Sequence, residues 1–419
     1  MTASVNSSFL PRHAMPHVLE ALSDTRVVLV NGARQVGKST LVRRAGRETD
    51  ASWYTLDDGT TAQLAAKDPS AFVRLSERMI VDEIQRDPQL LLAMKSLVDE
   101  IPTPGRFLLT GSARLMGLRN LPDSLVGRME TIELWPLSQG EIDGTPDRFV
   151  DAAFELGPDV RHESTVTRDD YITRITRGGF PGVYRRSERR RADSLNNYVA
   201  DLINRDVTQL SEIERGKEMR DLVLALAGCS GQLIAPTTLG EAQGLDAKTT
   251  KRYLRLLEEV FLIKRIPAWS RRISHRAVSQ DKLAFVDSGV ASALLDQTAS
   301  RLRKPGAPLG GLLEGFVVME IARQLTWNDT RAEISHYRTK DKVEVDIVLE
   351  DRHGQVIGIE VKASASPLWD DFRGLRHLEE RVGDDFIAGY VLHTGAQTLP
   401  FGSKMRAVPV SALWQIPAP

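Results

Sequence analysis

One cysteine in 419 residues, Cys229, excludes an internal disulfide framework and any cysteine-based zinc site, and fits a reducing compartment. Net charge is nearly absent as well: 55 Lys and Arg stand against 56 Asp and Glu. No global field therefore draws in nucleic acid or acidic lipid, and any such affinity must come from local patches. No apolar run reaches the roughly 18 residues of a membrane span. The opening stretch MTASVNSSFLPRHAMPH lacks the apolar core of a secretory signal. Internal repeats and low-complexity tracts are missing too, and the eight histidines show no pair at metal-ligand spacing. These absences leave a cytoplasmic, non-membrane protein. Its 42% hydrophobic content is enough for real cores, and at roughly 150 residues per domain the length suggests about three folded units.

The first third alternates short buried strands with helical patterns, which implies an α/β fold with a parallel sheet. Val27–Val30, Met79–Val81 and Phe107–Leu109 are the expected strands, and Thr40–Ala45 opens a helix. The pattern turns helical from about Pro146 to Arg215. Short helices and a β-type run follow to about residue 300, and Lys304-Pro305-Gly306-Ala307-Pro308 reads as a linker to a final α/β unit. The expected domains are 1–145, 146–215 (a helical lid or linker), 216–300 and 301–419.

Gly32-Ala33-Arg34-Gln35-Val36-Gly37-Lys38-Ser39 matches G-x-x-x-x-G-K-[ST] directly after a buried strand and ahead of a helix that continues through Thr40. Glycines let backbone N–H groups close around phosphates, and the helix N-terminus favours negative charge. Lys38 can reach the β- and γ-phosphates of ATP, and the Ser39 hydroxyl can ligate Mg²⁺. Met79-Ile80-Val81-Asp82-Glu83 ends a second strand in two acids. Asp82 would hold the magnesium through water, and Glu83 would activate the attacking water. Thr110 or Ser112, at the end of a third strand, would sense the γ-phosphate. Arg128, after Gly127, is a candidate transition-state finger, in cis or from a neighbouring copy in a homo-oligomer.

Two further clusters lie downstream. Gly231–Ile266 reads as a winged helix, with Asp246–Leu257 as the recognition helix and a basic hairpin through Arg276 as the wing. Lys248, Lys251, Arg252, Arg255, Lys264, Arg265, Arg271, Arg272 and Arg276 face only Glu258 and Glu259, a local excess suited to DNA phosphates. A second basic run holds Arg174, Arg177, Arg185, Arg186, Arg189, Arg190 and Arg191. In the last unit, Val343–Leu349 and Val356–Lys362 form a hairpin that sets Asp346 across from Glu360 and Lys362, within about 5–7 Å. Two carboxylates and a lysine in this D…E-x-K pattern suit a metal-dependent nuclease, with Glu314 completing the metal shell. The exposed face of a hairpin also carries such residues by default.

Taken in order, GARQVGKS, VDEIQRDPQLL, LLTGSARL, LVGRM, GGFPGVY, YVADLINRDV, LLEGFVVMEIA, YRTKDKVEVDIVL and IGIEVKAS resemble the bacterial and archaeal P-loop ATPases that join an AAA-type domain to a C-terminal DUF4143 domain. The resemblance spans nearly the whole chain. It implies an AAA-like ATPase core, a helical and winged-helix middle, and a C-terminal fold similar to PD-(D/E)XK restriction-type nucleases. It also implies nucleotide roles for Lys38, Ser39, Asp82 and Glu83, a sensor role for Ser112 and a finger role for Arg128. The residues fit three purposes: a DNA-binding switch, an ATP-dependent DNA-cleaving enzyme, and a protein-binding regulatory scaffold.

Overall fold

The computed structural model describes residues 10–112, 125–207, 216–271 and 280–417. The first unit is a five-stranded sheet of β1 (Val27–Asn31), β2 (Ser52–Thr55), β3 (Met79–Asp82), β4 (Phe107–Gly111) and β5 (Met129–Glu133), in the order β2-β3-β4-β1-β5. Every neighbouring pair runs parallel. Such a sheet is covered on both faces, and the pleat sends alternate residues to opposite sides. Val28, Val30, Ile80 and Leu108 enter one core, and Val27, Leu29, Met79, Val81, Phe107 and Leu109 the other. Helices α1 (Ala14–Asp24) and α2 (Lys38–Thr49) pack on the first of these faces. With β4 inserted between β1 and β3, Thr110 stands between the glycine-rich loop and the acidic pair.

The middle of the chain opens with the helices Arg168–Arg177 and Glu188–Asp201. After it come helices Gly216–Gly228, Pro236–Glu241 and Ala247–Glu259, then β6 (Ile263–Ile266) paired antiparallel with β7 (Lys282–Phe285). Asp246 caps the third of these helices by accepting from the Lys248 and Thr249 amides at 2.8 and 2.9 Å. Leu254 and Leu257 point inward, as their spacing requires.

The last unit is a six-stranded sheet of β8 (Ala332–Arg338), β9 (Glu344–Asp351), β10 (Val356–Lys362), β11 (Phe386–His393), β12 (Leu399–Pro400) and β13 (Met405–Pro409), ordered β12-β13-β11-β10-β9-β8. The helix Arg373–Val382 covers one face through Leu375, Leu378 and Val382. The other face, with Ile357, Ile359, Tyr390 and Leu392, meets the helix Leu309–Gln324, which is buried along most of its length. That helix shares its core with the middle helices and with the first sheet, so one continuous apolar interior joins the three units. Among the described residues no helix is long and apolar enough to cross a membrane.

Candidate functional site

The loop from Gly32 to Ser39 leaves the end of β1 and enters α2. Gly32 cannot carry a side chain, because a Cβ there would lie 2.1 Å from the Leu134 carbonyl oxygen. Gly37 is needed for a different reason: its φ of 96° lies in the region glycine alone occupies without strain. Gln35 also has a positive φ, of 63°, the kind of local strain that gathers at ligand-binding loops. The Lys38 ammonium is buried and donates to the carbonyls of Gly32 and Ala33 at 2.9 and 2.8 Å, so it is held inside the loop it would serve.

Beside the loop, the Ser39 hydroxyl donates to Asp82 Oδ1 at 2.9 Å. The Thr110 hydroxyl donates to the same oxygen at 2.6 Å and accepts from the Glu83 amide at 2.9 Å. A hydroxyl and a carboxylate converging in this way fit a hard divalent cation bound with oxygen ligands. Glu83 sits at φ 60°, in the left-handed region, just past the end of β3. Its Oε2 accepts from the Ser112 hydroxyl at 3.0 Å and from the Gln85 amide group. Gln85 Nε2 also donates to Ser112 Oγ at 2.8 Å. Gln85 was not singled out by spacing, yet it and Ser112 fix the direction of the Glu83 carboxylate.

Arg128 lies elsewhere. It immediately precedes β5, and in a parallel sheet that is the edge opposite the phosphate loop, roughly 15 Å away at 3.3 Å per residue. Its guanidinium grips Asp99, with Nη2 to Oδ2 at 3.1 Å. It does not reach the nucleotide loop of its own chain.

The C-terminal cluster assembles in part as expected. β9 and β10 pair antiparallel with Ile347 opposite Ile359, which sets Asp346 beside Glu360. Asp346 Oδ2 accepts from the Val361 amide at 2.9 Å, and the Lys362 ammonium donates to Glu360 Oε1 at 2.9 Å. Sequence spacing gave no hint of Lys282, the first residue of β7. Its ammonium, 4% exposed, donates to Glu314 Oε1 at 2.7 Å and Asp346 Oδ1 at 2.8 Å. A protein cation thus occupies the gap between two of the expected metal ligands, and among the described residues no group of three or more His, Cys, Asp or Glu side chains is placed to hold a metal. Burial, with the neighbouring Asp346, pushes Glu314 up to about 8 and Glu360 up to about 7. Burial opposes the charge on Lys282, but Asp346 and Glu314 outweigh it and raise its pKa.

The basic residues of the middle unit divide into two groups. Lys248, Lys251, Arg252 and Arg255 are all exposed and share one stripe of their helix at spacings of three and four. Arg265 is paired to Glu258 and Asp281. Arg271 is committed to the C-terminal unit, bonding the Val382 carbonyl and Asp385. Arg272 and Arg276 lie outside the described residues. In the earlier run, Arg174 and Arg177 both donate to Gln139 Oε1, Arg191 is buried against the Arg186 carbonyl, and Arg189 and Arg190 stay exposed. Cys229 is half-buried, and burial pushes its thiol up.

A polar latch, invisible in the sequence, ties the helix Leu309–Gln324 to the first unit. Glu320 Oε2 accepts from the Gln139 amide at 2.9 Å, Arg323 donates to the Pro136 carbonyl at 2.9 Å, and Gln324 accepts from the Val150 amide at 3.0 Å. Burial raises Glu320 to about 7 despite Arg323 beside it.

Comparison with known proteins finds matches to three segments of the chain. Residues 24–143 match an AAA domain and residues 309–413 match a domain of unknown function, DUF4143. The chain therefore carries a segment similar to an AAA domain followed by one similar to DUF4143. Between the two, residues 168–301 match another domain of unknown function, DUF8612. The chain is 28% identical over 419 residues to an uncharacterized protein of Mycobacterium tuberculosis, covering 98% of this chain and 86% of that one. An uncharacterized protein of Haemophilus influenzae is 23% identical over 320 residues, 71% of this chain and 74% of its own. Among solved structures, AMPPCP-bound DnaA from Aquifex aeolicus is similar at TM-score 0.27 and 17% identity, covering 59% of this chain and 86% of that one. The RuvB Holliday junction branch migration motor of Thermotoga maritima follows at TM-score 0.30 and 21% identity, covering 60% and 87%.

Proposed function

We propose that this protein binds and hydrolyses ATP with Mg²⁺ at the Gly32–Ser39 loop, and that its nucleotide state controls nucleic-acid binding by the middle and C-terminal units. The observation that carries the first part is the pair of hydroxyl–carboxylate groups beside the loop. Ser39, Thr110 and Asp82 form a polar cup suited to the ion, and Ser112 and Gln85 aim Glu83. Magnesium, when bound, would neutralise developing charge on the transferred phosphoryl group. Lys38 would exchange its two loop carbonyls for phosphate oxygens, and Glu83 would draw the proton from the attacking water. Glu83→Gln keeps the hydrogen-bonding shape and removes the base. It is expected to bind ATP as the wild type does and to turn it over about 10²-fold more slowly. Phosphate release beside a nucleotide titration checks this, and unchanged turnover would remove Glu83 from the role.

Nucleic-acid control is supported by the exposed stripe Lys248, Lys251, Arg252 and Arg255 on a helix followed by an antiparallel pair of strands, the element order of a winged helix. Lys251→Ala with Arg252→Ala is expected to weaken duplex DNA binding and to lower the slope of log K against log salt by about two. Binding indifferent to salt, measured by fluorescence anisotropy, would instead favour a protein-binding scaffold. A second reading, cleavage of DNA by Asp346, Glu360 and Lys362, is favoured by their convergence on one hairpin. It requires Lys282 to withdraw, because a cation already bridges Glu314 and Asp346. A finger role for Arg128 requires a second copy of the chain, since its own nucleotide loop is out of reach.

A further inference from the structure

Arg12, just ahead of α1, is 7% exposed and belongs to none of the motifs. All three of its nitrogens are used. Nη1 donates to the Val36 carbonyl at 2.8 Å, Nη2 to the Trp135 carbonyl at 2.7 Å, and Nε to Glu141 Oε1 at 2.9 Å. The planar fork of a guanidinium can serve three such acceptors at once, and a lysine ammonium on its flexible stem cannot hold the same geometry. Glu141 is itself fixed, accepting from the His13 amide at 2.8 Å and, through Oε2, from the Ser138 amide at 3.0 Å. The next amide along, that of Gln139, is the one held by Glu320 of the long C-terminal helix. Arg12 therefore reaches the phosphate loop from a rigid, buried frame.

The contact with Val36 decides the direction of a neighbouring donor. The chain has no cis peptide bond among the described residues, and in a trans peptide the C=O and N–H point in opposite directions. Holding the Val36 carbonyl on Arg12 turns the Gly37 N–H away from Arg12. This plane can rotate, because Gly37 on one side of it tolerates either sign of φ. A rotated plane would aim a carbonyl, rather than an N–H, at an incoming phosphate, replacing attraction with repulsion.

We infer that Arg12 is a positioning residue for the nucleotide reaction: it locks the Val36–Gly37 peptide so that the Gly37 N–H is presented to the β-phosphate of a nucleoside di- or triphosphate. The inference rests on the reading of Gly32–Ser39 as the nucleotide cradle. It predicts that the lock matters in proportion to the phosphates beyond the first.

The test uses the full chain and titrates fluorescent mant-ADP and mant-AMP into the wild type, Arg12→Ala and Arg12→Lys, with a thermal melt of each. Losing one well-aligned donor is expected to weaken mant-ADP binding about 10-fold in Arg12→Ala, and about three-fold in Arg12→Lys, with mant-AMP affinity unchanged in both. A lysine can keep the Val36 contact while giving up the other two, so it also carries the comparison if the alanine variant does not fold. Unchanged mant-ADP affinity, or an equal loss for mant-ADP and mant-AMP, overturns the inference, since a merely structural role would move both together. A wild type that binds mant-ADP normally while the variants match it removes only Arg12's role. A wild type that binds no nucleotide removes the cradle itself.

Discussion

Alanine at position 38 is expected to abolish nucleotide binding at working concentrations. Lys38 is the one ammonium held inside the loop, and in a buried setting the loss of one partner of a charge pair costs about 4 kcal/mol, or roughly three orders of magnitude in affinity. The effect should be larger than that of Glu83→Gln, because Lys38 meets the phosphates in the ground state while Glu83 acts on water. Lys38→Met separates charge from bulk: it keeps most of the stem and is expected to lose affinity as fully as alanine does. Isothermal titration with ADP and ATP in magnesium buffer measures both. Nucleotide affinity within three-fold of the wild type in either variant would mean that the triphosphate sits elsewhere, and the proposals for Ser39, Asp82 and Glu83 would fall with it.

That site was largely legible in the sequence, because its chemistry comes in contiguous runs whose spacing is tied to a strand end. Asp82 and Ser112 stand at the ends of buried strands, Lys38 and Ser39 follow another through the glycine-rich loop, and parallel pairing brings those strand ends together. The residues that support them were not legible. Arg12 meets Glu141, and Lys282 meets Asp346, across long stretches of chain, and a lone Arg or Lys in a balanced composition looks like any surface charge until its partner is known. Arg271 shows the converse: it reads as a wing residue, but it belongs to an ion pair with Asp385. Arg128 reads as a finger from the glycine before it, Gly127, and not from the strand it precedes. Recognising Met129–Glu133 as a parallel strand would have put it at the far edge of the sheet.

Lys282 carries the largest expected effect on stability, with a pH signature that identifies its cause. Replacing it with methionine preserves bulk but leaves Glu314 and Asp346 facing each other without the cation, and breaking a buried ion pair from one side typically costs about 3–5 kcal/mol. The wild type already leans one way. Glu314 is raised to about 8 and Glu360 to about 7, against ordinary values near 4.5. Between about pH 4.5 and 8 the folded chain therefore holds more protons than the unfolded chain, so stability contributed by these groups is full at the acid end and declines as pH rises through that window. Without Lys282 the carboxyls become harder still to ionise, and the decline should steepen and extend above pH 8. Lys282→Met is expected to melt close to the wild type near pH 5 and well below it at pH 8. Adding Glu314→Gln removes one of the two facing carboxylates and should restore much of the loss. Melting temperature against pH for the three proteins measures this directly. An offset that stays constant from pH 5 to pH 8, or a double variant no better than Lys282→Met, would mean that Lys282 holds the units together by packing rather than by balancing the acids it touches.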